Sequence, residues 1–272
     1  MVDVFSATPY LGNPVAVVLD AEGLDDAAMQ RIARWTNLSE TTFVFPPTAA
    51  EADYRVRIYT PEAELPFAGH PTLGAARAWL DNGGVPGSPV GVVQECQAGL
   101  VQVRAEDGLL FFAAPPTVRS GDLDESYLET TSAALGLSRD QIVSHQWIDN
   151  GPGWAVIQVA TAAEVLALEP DLSKIPEAMV GVLGAYAAGS PFRYELRTFA
   201  PLAGVPEDPA CGSMNAAVAQ WLVRTGEVTS PYRVSQGGRL HRAGDIAIST
   251  DPDGTIWVGG RAVTLQSGTV VE

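Results

Sequence analysis

Polar and apolar positions along this chain follow two periods. Short β-branched or aromatic runs at residues 2–5, 16–19, 42–45 and 54–59, bounded by Gly, Pro or Asp, predict strands. Residues 25–35 open on acidic side chains and then place Met29, Ile32 and Ala33 at helical spacing, which predicts a helix. Further helices are predicted over 72–80, 127–135 and 214–223, and further strands over 154–159, 195–199, 246–249 and 255–258. A last strand-like segment, 262–270, reads as crossing back to the start of the chain. The coarse class is mixed α and β.

The pattern repeats half a chain later. Val56-Arg57-Ile58-Tyr59-Thr60-Pro61 returns as Leu196-Arg197-Thr198-Phe199-Ala200-Pro201, 140 residues on. Gly12-Asn13-Pro14-Val15-Ala16-Val17 returns as Gly151-Pro152-Gly153-Trp154-Ala155-Val156 at an offset of 139, and Gly69 returns as Gly212 at an offset of 143. Three echoes in the same order predict two tandem copies of one fold. The Pro115-Pro116 pair is the best break between them. The expected domains are therefore 1–115, joined by the final segment 262–272, and 116–261.

Composition narrows the function classes. The 272 residues carry 16 basic and 32 acidic side chains, a net charge of −16, so general nucleic-acid binding and a polybasic membrane anchor are both excluded. Lys174 is the single lysine, which leaves little room for Schiff-base chemistry. Two cysteines, Cys96 and Cys211, form neither a disulfide framework nor a metal-ligand spacing. The N-terminal stretch has no basic region ahead of an apolar core, and no run reaches the roughly 20 apolar residues that span a bilayer. A cytoplasmic protein is expected. No dinucleotide, P-loop, serine-hydrolase or zincin motif occurs.

Four places could carry chemistry. Gly69 and Gly212 each precede a helix, where close backbone approach, unpaired amides and the helix dipole favour an anion. His70 and Ser213 fall at corresponding helix entries, and Asp208 lies just ahead of the second. Each has a plain structural alternative: His70 as a helix-entry residue beside Pro71, and Asp208 as an N-cap with Pro209 in the first helical position. Glu40 sits between a helix end and a strand, where loops place functional groups but where a glutamate by itself is mostly a solvated loop charge. Cys211, at a helix N-terminus, is either an activated thiol or a small buried apolar group. Cys96, His145 and His241 carry no signal beyond ordinary packing.

Four phrases bring a family into view: Gly12-Asn13-Pro14, Asn37-Leu38-Ser39-Glu40-Thr41, Glu64-Leu65-Pro66-Phe67-Ala68-Gly69-His70-Pro71-Thr72-Leu73-Gly74 and Glu207-Asp208-Pro209-Ala210-Cys211-Gly212-Ser213. Together they resemble the PhzF-like (phenazine biosynthesis) isomerase family across essentially the whole chain. The resemblance implies an α+β, diaminopimelate-epimerase-like fold of two pseudo-symmetric domains, each a curled mixed sheet around a central helix, with the active site in the cleft between them. It also implies a homodimer and a small anionic metabolite as substrate, with no metal or organic cofactor. Carried over by position, the acid/base glutamate is Glu40, the substrate-contacting pair is His70 and Asp208, and the substrate-binding groups at the helix entries are Gly69, Gly212 and Ser213, with Cys211 beside them. The namesake reaction moves a proton from one carbon of a dihydro-hydroxyanthranilate to another. Such a reaction needs a base held against a carbon acid and a site that stabilises developing charge.

Related amino-acid epimerases use one cysteine at each helix entry. Here those positions are Ala68 and Cys211, which excludes a two-thiol epimerase. An epimerase or racemase pairing Cys211 with Glu40, and a non-catalytic metabolite-binding member, stay open beside the isomerase.

Overall fold

Strand pairing reproduces one topology twice. The computed structural model describes residues 1–269, and its chain falls into two compact units, Met1–Ala113 with the segment from Gly259 onward, and Ala114–Val258. In the first unit, Val2–Val4 pairs antiparallel with Ala262–Thr264 on one side and Asn13–Val18 on the other. Asn13–Val18 runs parallel to Thr41–Phe45, which pairs antiparallel with Tyr54–Tyr59. Tyr54–Tyr59 takes the short strand Glu64–Leu65 antiparallel and Val92–Cys96 parallel, and the meander continues through Gly99–Glu106 and Leu109–Ala113.

The second unit repeats this order of parallel and antiparallel steps. Arg119–Gly121 pairs with Ile142–Asp149, then Ala155–Thr161, then parallel with Val180–Ala185, then antiparallel with Tyr194–Ala200. Tyr194–Ala200 takes Val205–Asp208 antiparallel and Tyr232–Gln236 parallel, with Gly244–Thr250 beyond. Registers match as well as order. Thr41 faces Tyr59 where Val180 faces Phe199, and Tyr54 faces Gln94 where Tyr194 faces Val234.

Among the described residues five α-helices accompany these strands: α1 (Asp26–Thr36), α2 (Gly69–Asp81), α3 (Glu125–Leu135), α4 (Ala162–Ala167) and α5 (Gly212–Arg224). α1 starts where sequence rules place it, with Asp25 Oδ1 accepting from Ala28 N at 2.7 Å. α2 and α5 are the central helices, buried around most of their circumference and rich in Gly and Ala. Small side chains there allow close packing. A Cβ on Gly74 of α2 would lie 2.3 Å from Val15 Cγ1, and in the second unit Gly181 gives way instead, since its Cβ would lie 2.8 Å from Met214 Sδ of α5.

Several expected boundaries move. α2 and α5 begin at Gly69 and Gly212, earlier than 72 and 214, because Gly and Pro are admitted to the first turn, whose N–H groups need no intrahelical acceptor. The final strand ends at Thr264 rather than 270, and residues 270–272 lie outside the described residues. Among the described residues no helix is long and apolar enough to cross a membrane.

One ion pair recurs at equivalent positions ahead of both central helices. Arg57 meets Glu64 through Nε–Oε1 at 2.7 Å and Nη2–Oε2 at 2.6 Å, and Arg197 meets Glu207 through the same atoms at 2.9 and 2.8 Å. Burial separates the copies. The Arg57 and Glu64 side chains are 25% and 28% exposed and Arg57 also binds Asp26, whereas Arg197 and Glu207 are 4% and 12% exposed. Glu207→Ala therefore strands a buried guanidinium and is expected to cost about 3–5 kcal/mol in urea denaturation. Glu64→Ala, which leaves Arg57 with Asp26 and water, should cost about 1 kcal/mol or less. Equal losses in the two variants would refute this account of the pairs.

Candidate active site

In the first unit the loop from α1 to Thr41–Phe45 sets Glu40. α1 ends on Asn37 in the left-handed region (φ 53°), with its N–H on Ala33 O. The Thr36 and Thr41 hydroxyls then bridge the loop at 2.8 Å. Thr41 is fully buried, and the Glu40 side chain just before it is only 14% exposed. Its Oε2 lies 3.6 Å from His70 Nδ1 and makes no hydrogen bond among the described residues. Burial pushes the Glu40 carboxyl up from 4.5 to about 7, with a hydrogen bond from the Ser39 side chain pulling the other way.

His70 stands in the first turn of α2 and is 3% exposed. Asn13 Nδ2 approaches its Nδ1 at 3.4 Å. An amide NH2 only donates, so this contact fits the tautomer that carries its proton on Nε2. The helix start itself is held by a buried chain, Tyr54 Oη to Gln94 Oε1 at 3.0 Å and Gln94 Nε2 to Thr72 Oγ1 at 2.9 Å. Backbone closes the entry loop, with Ala98 N donating to Pro66 O at 3.1 Å. The structure thus brings Glu40, His70 and Gly69 together, and adds Asn13.

In the second unit Asp208 is not the cap of α5. It ends the strand Val205–Asp208, its Oδ1 accepts from Ala210 N at 3.0 Å, and Pro209 stays outside the helix. The N-cap is Cys211, 5% exposed, with Sγ 3.5 Å from Ser213 Oγ. Neither Cys211 nor its counterpart Ala68 makes a side-chain capping hydrogen bond. The first amides of both helices, those of Gly69 and Gly212 included, are therefore left by helix geometry without an intrahelical acceptor.

Ser213 is fixed from two sides. Trp154 Nε1 donates to its Oγ at 3.0 Å, and Asn150 Nδ2 donates to its carbonyl at 3.0 Å. An indole N–H is a donor only, so the Ser213 hydroxyl hydrogen is directed elsewhere. Trp154 and Asn150 escaped sequence reasoning because a Trp at a strand start and an Asn in a turn read as packing and turn chemistry. The second copy has no acid at the place of Glu40. The shared register puts Met179, just before Val180, where Glu40 precedes Thr41. Among the described residues no group of three His, Cys, Asp or Glu side chains could hold a metal ion.

Comparison with known proteins places the chain in a family. A family model described as phenazine biosynthesis-like protein matches residues 2–268. The protein named antisense-enhancing sequence 1 from Schizosaccharomyces pombe is 39% identical, over 98% of this chain and 96% of its own. The trans-2,3-dihydro-3-hydroxyanthranilate isomerase of Pseudomonas fluorescens is 33% identical, over 100% and 98%. A solved PhzF-family phenazine biosynthesis protein from Bacillus anthracis superposes with a TM-score of 0.82 at 23% identity, over 100% and 97% of the two chains. A hydroxyproline epimerase from Agrobacterium vitis shares the fold alone, with a TM-score of 0.59 at 14% identity over 97% and 89%. The chain belongs to the phenazine biosynthesis-like (PhzF-like) isomerase family, with its diaminopimelate-epimerase-like fold.

Proposed function

We propose that this protein is a cofactor-independent isomerase that moves a proton along a small unsaturated carboxylic or amino acid, of the dihydro-hydroxyanthranilate type named for its relatives. The observation that carries this reading is the Glu40 carboxyl, held 14% exposed beside His70 and shifted to about 7. A carboxyl at that value is charged in about half the molecules at neutral pH, so it can take a proton and give it back.

The carboxylate of Glu40 accepts a proton from an acidic C–H, and the electron pair left behind spreads into the conjugated system. The protonated Glu40 then returns the proton to another carbon, which relocates the double bonds. His70 and Asp208 are assigned to contact the substrate, and the amides of Gly69 and Gly212 with the Ser213 hydroxyl to bind its carboxylate. A single acid suffices for this chemistry, in keeping with Met179 at the counterpart of Glu40.

A second reading is an epimerase in which the Cys211 thiol and Glu40 work on opposite faces of one carbon. It is favoured by the place of Cys211 at the N-cap of α5 and its 3.5 Å contact with the Ser213 hydroxyl. Cys211→Ser separates the two. The isomerase should lose only a few-fold in kcat/KM, and the epimerase should lose most of its rate.

Glu40→Gln should stay folded and lose about 10²–10⁴-fold in kcat/KM, together with solvent deuterium uptake into substrate. Undiminished uptake in that variant rejects Glu40 as the proton carrier. The wild-type kcat/KM should rise with pH through about 7, since the base must first be charged.

The same variant changes stability with a definite sign. Below about pH 4.5 the carboxyl is protonated in folded and unfolded chains alike and contributes no difference. Between there and about 7 the unfolded chain loses its proton first, so wild-type stability falls, reaching a penalty of up to about 3 kcal/mol above pH 7. Glu40→Gln should therefore be the more stable protein at pH 8 and equal to wild type at pH 4, read by chemical denaturation at both.

A further inference from the structure

We infer that Gln236 is a positioning residue for the substrate-binding loop Asp208–Ser213, carrying the backbone on which Ser213 and the first amides of α5 are presented. This rests on the reading above, which makes those groups part of the site. Gln236 ends the strand Tyr232–Gln236 and is 1% exposed. Its Oε1 accepts from Cys211 N at 3.2 Å and from Asn215 Nδ2 at 3.0 Å, and its Nε2 donates to Asp208 O at 2.8 Å and to Thr198 Oγ1 at 3.1 Å. All four hydrogen-bonding positions of the amide are used.

The partners are the ones a loop support would choose. Asn215 Nδ2 also donates to Cys211 O at 2.9 Å, so both peptide groups of Cys211 are held by side-chain amides. Pro209 has no N–H, and Ala210 N is taken by Asp208 Oδ1. Ala210 N and Cys211 N are thereby both committed, and Gly212 is the first residue of α5, whose N–H helix geometry leaves without an intrahelical acceptor. Backbone packing points to the same contact. A Cβ on Gly237 (φ +94°), the residue after Gln236, would lie 2.5 Å from Pro209 O, so the end of this strand runs directly against the loop. No capping side chain on the helix does this work, since Cys211 provides none.

Replacing Gln236 by Leu removes its hydrogen bonds to Cys211 N and Asp208 O, and the loop loses its tie to the strand. The test compares hydrogen exchange by mass spectrometry and steady-state kinetics in the intact wild-type chain, Gln236→Leu and Thr198→Val. Thr198→Val removes one of the four hydrogen bonds but none that reaches the loop. In Gln236→Leu, exchange over residues 209–215 should quicken about tenfold while Val180–Ala185 is unchanged. Its kcat/KM should fall about 10²-fold with the inflection near pH 7 unmoved, because Glu40 is untouched. Thr198→Val should leave exchange in the loop as in wild type. Gln236→Glu, which still accepts from Cys211 N and Asn215, should fall between the two and serves as the second variant if Gln236→Leu does not fold.

Unchanged loop exchange in the Gln236 variants, or an equal rise in Thr198→Val, overturns the assignment. If instead Glu40→Gln retains full deuterium uptake, the proton-transfer reading falls while the exchange comparison still decides the role of Gln236.

Discussion

Neither central helix is capped by a side chain at its N-cap, and the support this demands organises both halves of the protein. Ala68 and Cys211 occupy the two N-cap positions, and neither side chain reaches the first turn. The usual stabilisation of a helix start is thus forgone at both central helices, and the entry loops must be held from elsewhere. Bidentate Arg–Glu pairs do so on the strands ahead of each loop, and buried glutamine side chains do so from the neighbouring strand. The supporting hydrogen bonds thus come from neighbouring strands and not from a cap on the helix itself.

A second tension sits at Glu40. Its carboxyl is held largely out of water, and its charged form is disfavoured as a result. The second copy carries Met179 at the matching place. Duplication built two similar scaffolds, and their chemistry then diverged at single positions: Glu40 against Met179, Ala68 against Cys211, His70 against Ser213. Burial makes the proposed proton carrier Glu40 a destabilising residue wherever its carboxyl must ionise.

Much of this was legible in the chain itself, and the reasons are local. The run Tyr54–Tyr59 alternates buried and half-buried residues, so period-two reasoning finds it, and its echo 140 residues later marks the duplication. Val180–Ala185 escaped because it is buried on both faces and contains two glycines, which erases any alternation. Gly99–Glu106 and Leu109–Ala113 escaped as well, the first because its polar and apolar residues are mixed, the second because a short apolar run has no period that marks it as a strand. Glu40, His70 and Ser213 could be named because they stand in family phrases. Gln236 and Trp154 could not, because their importance comes from buried partners far away in sequence, and a lone Gln on a strand carries no mark of that.

The two glutamine supports are not copies of each other. The matched registers align Gln94 with Val234 and Cys96 with Gln236, two steps apart on the same face of the same strand. Yet each reaches the same place on its helix, since Gln94 donates to Thr72 and Gln236 accepts from Asn215, 143 residues on. Each half therefore arrived at its own carpentry after the ancestral gene doubled, and a symmetrised repeat made by averaging the halves would inherit two braces on one strand or none.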